Sequence, residues 1–238
     1  MNDWKNIWDS KKMDKINLNR SEFDVFCDLK RIDGFDVNVK NDYEYFKAFY
    51  EEWQGLNKML NELTNNEFES VYEVGCGSGV NLYMFQNRIE NLKAGGIDYS
   101  SNLINIAKNV VGSDDLICGD AGSIDDNKKY DVVMADSVFQ YFESLTYSEC
   151  VLRKMISKAN KVVYLGELHN EELSEQWLEH RRASMENYDD KYAKLPKLFY
   201  SKNWLENIVD EYHKKIIYTT SNNAEYWNSK YIFNCYIY

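Results

Sequence analysis

A turn built on alternating glycines constrains this chain more than any other feature. Gly75, Gly77 and Gly79 come directly after the apolar run 71–74, and an amphipathic segment follows from Val80. Glycine adopts positive φ freely and lets a ligand approach the backbone, and a helix that starts there presents unpaired N–H groups. A strand, a glycine turn and a helix in this order predict an open α/β sheet with a ligand at the strand's carboxyl end.

The spacing of these glycines distinguishes between classes of nucleotide site. The dinucleotide fingerprint reads GxGxxG, whereas here the third glycine falls one place earlier and position 80 is valine. An NAD-dependent enzyme is therefore disfavoured.

Apolar runs and amphipathic segments alternate from residue 70 onwards. Five short runs are separated by segments with helical periodicity, which predicts βαβ units and a parallel sheet. These runs span 71–74, 95–98, 116–118, 130–135 and 161–165. Two further strands, 214–219 and 231–237, end the chain, and the short segment between them permits a hairpin.

The rest of the chain predicts helices around this sheet. Residues 41–63 carry apolar side chains at spacings of three and four, and a charged helix is expected over 171–188. We predict a helical N-terminal extension or lid over 1–66 and a Rossmann-like core over 67–238, with a cap inserted at about 169–203.

Composition narrows the functional classes. The formal net charge of −11 disfavours nucleic acid as a partner, because phosphate binding needs a basic face. Five cysteines without a CxxC pair indicate neither a disulfide framework nor a metal site. The polar N-terminus lacks a signal-peptide core, and no window reaches membrane-spanning length. A cytoplasmic protein without a membrane partner is expected; the oligomeric state stays open.

Acidic residues accompany the ends of three successive predicted strands. Glu73 precedes the glycine turn, Asp98 ends the second strand, and Asp120 follows the third. A carboxylate such as Asp98 accepts hydrogen bonds from both hydroxyls of a ribose, although it also serves as a helix cap, a role that Ser100 fills better. Asp120 alone reads as a turn residue, but all three together predict a nucleoside site.

Four runs then resemble the successive motifs of class I S-adenosylmethionine-dependent methyltransferases: VYEVGCGSG, GIDYS, CGDA and YDVVMADSVFQYF. The resemblance implies a seven-stranded, mostly parallel sheet whose last strand is inserted antiparallel. It also implies that the glycines pack against the methionine part of S-adenosylmethionine and that Asp98 holds the ribose. It further implies that Asp120 and Ala121 hold the adenine and that Asp136 or Ser137 lies beside the methionine. The other candidate cofactor residues are Glu73, placed to take the ligand's amino group, and Cys76 and Tyr99.

The C-terminal half is similar to bacterial methyltransferases linked to sugars and surface polysaccharides. The similarity lies in the segments 195–201 and 228–234, and it extends to Trp4 and Trp8 near the N-terminus. It implies carbohydrate modification and assigns no residue to the acceptor.

Three residues are candidates for catalysis. His169 follows the fifth strand at the ligand edge and has a side-chain pKa in the useful range for a base, although loops also carry such residues without a catalytic role. Glu167 is a second possible base or hydroxyl ligand, and Tyr141 lies at the boundary of cofactor and acceptor as a wall or an acid.

Four residues are candidates for contact with the acceptor. Arg181 and Arg182 are positioned to clamp a phosphate or carboxylate, or else form a solvated helix face. Tyr141 and Tyr200 complete the set. We expect the acceptor pocket between the N-terminal helices and the segment 171–200.

Several functions agree with these observations. The first is O-methylation of a small molecule, such as a sugar, a nucleotide-linked or a phosphorylated intermediate. N-methylation of an amine or amino sugar is the alternative within the same class. A catalytically silent cofactor-binding scaffold is the alternative outside it, because a fold does not fix a function.

Overall fold

Seven strands form a single sheet in the part of the chain that our computed structural model describes, residues 4–11, 16–34 and 41–238. Their order across the sheet is β3-β2-β1-β4-β5-β7-β6, and β7 alone runs antiparallel to its neighbours. The strands span Ser70–Val74 (β1), Lys93–Asp98 (β2), Leu116–Cys118 (β3), Tyr130–Asp136 (β4), Ala159–His169 (β5), Ile216–Thr220 (β6) and Ile232–Ile237 (β7). The predicted Rossmann-like fold is confirmed.

The strand order reverses between β1 and β4, which pair in parallel. In an open α/β sheet, ligands bind in the crevice beyond the carboxyl ends of the strands at such a reversal. The register brings those ends together, since Glu73 pairs with Gly96 on one side and Asp136 with Gly166 on the other. The topology therefore gathers the acidic strand ends at one edge.

Helices cover both faces of the sheet. They span Trp4–Asp9 (α1), Glu22–Asp33 (α2), Asp42–Leu63 (α3), Val80–Gln86 (α4), Ser101–Val111 (α5), Leu145–Lys158 (α6), Ser174–Ser184 (α7), Tyr188–Tyr192 (α8) and Lys202–Asp210 (α9). Ser100 caps α5 by accepting a hydrogen bond from the N–H of Leu103, as expected for a serine at that position. No helix in the described residues is long and apolar enough to cross a bilayer.

Side chains of the central strands point alternately into two apolar clusters, one on each face of the sheet. Val71 and Val132 pack under α2–α5, whereas Tyr72 and Val133 pack under α6 and α9. This period of two is what a parallel strand buried on both faces requires. A third cluster, centred on Trp177 and Tyr188, lies in the predicted cap segment.

The helix predicted over 171–188 is broken, so that prediction was wrong in its extent. The helix α7 ends at Ser184, and Asn187 adopts a left-handed conformation with φ of 55° before α8 begins. Asparagine tolerates this conformation better than most residues. The break places Tyr188 against Trp177, with ring centroids 6.2 Å apart, so burial of aromatic surface outweighs continuation of a polar helix.

Candidate active site

A cavity of about 850 Å³ lies over the carboxyl ends of the strands. One side, here called the strand wall, consists of Glu73, Asp98, Asp136 and Glu167. The opposite side, here called the cap wall, consists of Trp177, Arg181, Tyr188, Lys197 and Trp227. The helix α1 also lines the cavity with Trp4 and Trp8, so the cavity lies between N-terminal helices and the cap segment.

The glycine turn lies at the base of the strand wall. Gly75, Gly77 and Gly79 all have positive φ, at 69°, 51° and 86°. A Cβ on Gly75 would lie 2.4 Å from Cγ2 of Val138, so no side chain fits there. Gly75 and Gly77 line the cavity together with Cys76, whereas Gly79 starts α4 and packs closely against Ala107 of α5.

Asp98 is held in a fixed orientation at the end of β2. One oxygen accepts a hydrogen bond from the N–H of Gly77 at 3.0 Å, and the other accepts from the N–H of Ser100 at 2.8 Å. Burial raises the pKa of Asp98, and these two hydrogen bonds only partly offset it. Since a carboxylate has about four acceptor positions, Asp98 retains the capacity to accept from two hydroxyls; the neighbouring Tyr99 also lines the cavity.

Glu73 and Asp136 share one amide donor. Asn81 Nδ2 donates to Glu73 Oε1 at 2.6 Å and to Asp136 Oδ2 at 3.4 Å. Burial raises the pKa of Glu73 well above its ordinary value.

The helix α2 brings two further charged residues to this region. Burial lowers the pKa of Lys30, but nearby carboxylates, Asp136 and Glu167 foremost, outweigh that effect and raise it. Asp33 accepts hydrogen bonds from the N–H and the hydroxyl of Ser78, both at 2.8 Å. Sequence reasoning missed Lys30 and Asp33, because the weak pattern of residues 1–40 does not show that α2 packs on the glycine turn.

Glu167 has a strained backbone at the point where β5 leaves its regular register. The pairing of β5 with β7 shifts between Leu165 and Leu168, and Glu167 lies in that bulge with φ of 55°. Its Oε2 accepts hydrogen bonds from the hydroxyls of Ser137 at 2.9 Å and Tyr226 at 3.3 Å. Burial and the charge of Asp136 raise the pKa of Glu167 to about 7. Bulges and left-handed non-glycine residues concentrate at functional sites.

His169 lines the cavity two residues further along β5. Its Nε2 lies 3.1 Å from Nδ2 of Asn228, and the side chain is buried. Burial, with the charges of Lys197 and Arg181, lowers the pKa of His169 well below its ordinary value. The imidazole is therefore neutral and a weaker base than the sequence suggested.

Tyr141 forms an aromatic boundary between α1 and the cap wall. Its ring lies edge-on to Trp4 and Trp8, with centroids 4.8 and 5.6 Å away. Burial raises the pKa of Tyr141, so it lines the cavity as a neutral phenol. Lys197 lies over the same ring at 3.8 Å, a position that the sequence analysis did not predict.

Four predicted residues are not among those that line the cavity: Gly79, described above, and Asp120, Arg182 and Tyr200. Asp120 is exposed and accepts from the Tyr147 hydroxyl at 2.7 Å, although the adjacent Ala121 does line the cavity. Arg182 pairs with Asp189 at 3.0 Å on an exposed face. Tyr200 is fully buried and donates to the carbonyl of Phe139 at 2.7 Å.

Buried polar atoms without a partner concentrate in this cavity. Six such side-chain atoms occur in the described residues, and four belong to residues that line it. These four are Glu73 Oε2, Gln140 Oε1, His169 Nδ1 and Arg181 Nε. Because a buried polar atom left unpaired costs about 1–3 kcal/mol, their clustering indicates a site shaped for a polar ligand.

The fold and this site define the class. Residues 71–162 match the family model described as a methyltransferase domain. A Rossmann-like sheet with an antiparallel last strand, a glycine turn after β1 and an oriented carboxylate after β2 accompanies that match. Residues 71–162 thus form a methyltransferase domain, and the surrounding fold is that of class I S-adenosylmethionine-dependent methyltransferases.

Known proteins similar to the chain differ in their acceptors. A malonyl-[acyl-carrier protein] O-methyltransferase of Priestia megaterium is 28% identical over 113 residues, which are 45% of this chain and 41% of the relative. The magnesium protoporphyrin IX methyltransferase of Synechocystis PCC 6803, solved with bound SAH, has a TM-score of 0.61 at 12% identity and covers 91% of this chain and 98% of its own. An amino pentose methyltransferase from Micromonospora echinaspora, solved with bound SAM, has a TM-score of 0.60 at 9% identity and covers 85% and 99%.

The matched segment spans about two fifths of the length of the Priestia relative. At such identities the two structures establish the fold. The cofactor of this family is S-adenosylmethionine, and the site fits it: the glycine turn leaves no room for side chains, Asp98 has free acceptor capacity, and Glu73 Oε2 is buried without a partner.

Proposed function

We propose that the chain transfers the methyl group of S-adenosylmethionine to a hydroxyl of a small-molecule acceptor, such as a sugar or a nucleotide-linked intermediate. The observation that carries this proposal is the continuity of one cavity. Its strand wall holds the glycine turn and Asp98, and its cap wall is aromatic. Between the two walls, Glu167 accepts hydrogen bonds from Ser137 on the strand-wall side and from Tyr226 on the cap-wall side.

The strand wall would hold the cofactor. We assign the ribose hydroxyls to Asp98, the adenine to Ala121, which lines the cavity where Asp120 does not, and the methionine to the glycine turn with Asp136 and Ser137. Lys30, on α2, offsets the negative charge of the surrounding carboxylates. When bound, the cofactor supplies an electrophilic methyl group on its sulfonium, and the protein chiefly contributes proximity and alignment.

Glu167 is our candidate for the proton acceptor. A general base acts best when its pKa lies near the working pH, and that of Glu167 is raised to about 7. His169, with its pKa well below the ordinary value, would instead orient the acceptor through the unpartnered Nδ1. Tyr141 would serve as a wall.

Nitrogen methylation is the second candidate, favoured by the structural similarity to an amino pentose methyltransferase. A neutral amine needs orientation more than proton removal. The two candidates differ in their need for Glu167, which gives an experimental distinction.

The first test is calorimetry with S-adenosylhomocysteine and with NAD on the same preparation. We expect binding of the first and none of the second. Turnover is then measured as S-adenosylhomocysteine release with hydroxylated sugars, amino sugars, nucleotide sugars and a short RNA. Release with a small molecule supports the proposal, and release with RNA alone overturns it. Cofactor binding without release in any arm favours the silent scaffold.

A further inference from the structure

We propose that Arg181 and Lys197 form a binding site for an oxyanion, a carboxylate or a phosphate, carried by the acceptor. The acceptor would then be an anionic small molecule. This inference rests on the proposed function, because it assigns the cap wall of the same cavity to the acceptor.

Arg181 differs from every other arginine in the described part of the chain. Each of the other five pairs with a carboxylate within 4.0 Å, and Arg182 next to it pairs with Asp189. Arg181 has no such ion pair, and its Nε is buried without a hydrogen-bond partner. A side-chain hydrogen bond to Tyr188 engages part of the guanidinium, and the unpaired Nε remains available to a ligand in the cavity.

Aromatic rings surround Arg181 where carboxylates would otherwise be expected. Its guanidinium lies 5.0 Å from the ring of Trp227 and 5.3 Å from that of Tyr188, with Tyr192 and Trp177 at 5.5 and 5.9 Å. Rings at this distance stabilise a cation modestly and hold its plane in place. They also exclude water, which strengthens any hydrogen bond to an incoming anion.

Lys197 reaches the same part of the cavity from the segment after α8. Its ammonium lies over Tyr141 at 3.8 Å and Trp4 at 5.0 Å, and it makes no ion pair within 4.0 Å among the described residues. Burial, and in smaller part the charge of Arg181, lower the pKa of Lys197 to about 7, although Glu167 opposes this. Protonating Lys197 beside Arg181 is therefore costly, and a bound anion relieves that cost and favours the ammonium form.

The negative overall charge of the chain makes two cations in the cavity notable. At a formal net charge of −11 the molecule repels anions in general, and the strand wall of the cavity is itself acidic. A site that admits an anionic acceptor therefore needs local cations, and the cap wall supplies them. The expected pair in the sequence was Arg181 with Arg182; the structure replaces Arg182 by Lys197.

The test measures anion binding to the protein saturated with S-adenosylhomocysteine. Sulfate represents a phosphate group and acetate represents a carboxylate, each titrated against chloride at constant ionic strength and followed by tryptophan fluorescence, since Trp4, Trp177 and Trp227 lie around the site. We expect saturable binding of at least one anion. The anion that binds better identifies the acceptor group.

Variants locate the site. Arg181→Gln and Lys197→Met should each weaken anion binding at least tenfold, because each loses charge-assisted hydrogen bonds. The control Arg182→Gln should bind as the wild type does, and Lys197→Met covers the case in which Arg181→Gln does not fold. Equal affinity in Arg182→Gln and in the folded site variants would overturn the proposal.

The affinity for S-adenosylhomocysteine separates this inference from the proposed function. It should be unchanged in Lys197→Met. A parallel loss of cofactor and anion binding would mean that the cations hold the cofactor's own carboxylate, which also overturns the inference. Failure of the wild type to bind S-adenosylhomocysteine, with saturable sulfate binding intact, would instead refute the proposed function and leave the anion site standing.

Discussion

The two walls of the cavity contrast in both chemistry and origin. The strand wall carries four carboxylates placed by the ends of β1, β2, β4 and β5. The cap wall carries aromatic rings and two cations from α7, α8 and the segment that follows, together with Trp227 from the segment between β6 and β7. One wall is fixed by sheet topology, and the other by packing between helices and loops.

This contrast divides the work of the site. An acidic strand wall favours a ligand that carries a sulfonium and an ammonium group, and its rigid β-register keeps the carboxylates in place. The cap wall suits a flat or ring-shaped acceptor with an anionic group.

The largest effect is expected where the walls meet. Glu167→Gln should lower turnover of a hydroxyl acceptor about a thousandfold, in the range of a lost general base, while affinity for S-adenosylhomocysteine changes less than threefold. Single-turnover methyl transfer measures the first and calorimetry the second. Because Glu167 must be ionised to act and its pKa is about 7, wild-type turnover should rise through pH 7.

The control for this prediction is His169→Asn. It should keep the same rise with pH, since the pKa of His169 lies well below its ordinary value. If turnover of Glu167→Gln matches the wild type, Glu167 is not the base, and a nitrogen acceptor becomes the better proposal.

The Glu167 carboxyl group should also make the free energy of unfolding depend on pH. Burial and Asp136 raise the pKa of Glu167 from 4.5 to about 7 in the folded chain, with Lys30 opposing them. The contribution of this carboxyl group to folding stability is therefore fully present below pH 4.5, and it is lost as the pH rises through 7. One pH unit corresponds to about 1.4 kcal/mol. The free energy of unfolding of Glu167→Gln, relative to wild type, should therefore increase by up to about 3 kcal/mol between pH 4.5 and pH 8.

Denaturant unfolding at the two pH values measures this difference. Glu175→Gln, which changes an exposed glutamate on α7, is the matched control and should show no such trend. A pH-independent difference for Glu167→Gln would show that the carboxyl group is not destabilised by its surroundings.

Asp98→Ala tests the strand wall alone. It removes a carboxylate that is already oriented by Gly77 and Ser100, and we expect affinity for S-adenosylhomocysteine to fall more than tenfold through lost charge-assisted hydrogen bonds. Calorimetry measures the loss, and sulfate binding at the cap wall reports that the protein is folded. Unchanged cofactor affinity in that folded variant would remove Asp98 from the ribose.

The strand wall was predictable from the sequence, and the cap wall largely was not. Glu73 and Asp98 were found because a carboxylate at the end of a parallel strand reaches the ligand edge whatever the rest of the chain does. Lys197 depends on where α8 and the following loop pack, which no periodicity encodes. The same holds for Lys30, whose helix lies in a weakly patterned region.

Burial explains the other differences. The sequence favoured His169 as the base from its ordinary pKa, but enclosure among Trp177 and Phe199, with ring centroids 5.3 and 5.4 Å away, keeps it neutral. Glu167 was the second candidate, and burial with the charge of Asp136 raises its pKa to about 7, an effect that no local sequence pattern indicates. Protonation in the folded state is a tertiary property, so the pKa values of the folded chain favour the reverse of the order that residue type alone suggests.

The smallest effect is expected for Tyr200, which the sequence placed at the acceptor. Its hydroxyl lies 2.7 Å from both the Phe139 carbonyl and the Ser148 hydroxyl, inside the apolar cluster under α6 and α9. Tyr200→Phe should therefore lower the free energy of unfolding by about 1 kcal/mol, the net value of a buried hydrogen bond, and leave KM for the acceptor within twofold of wild type. Tyr188→Phe, on the cap wall, is the matched comparison. A raised KM in Tyr200→Phe without a change in stability would mean that the acceptor reaches this tyrosine, and the boundary drawn here between core and cap wall would have to move.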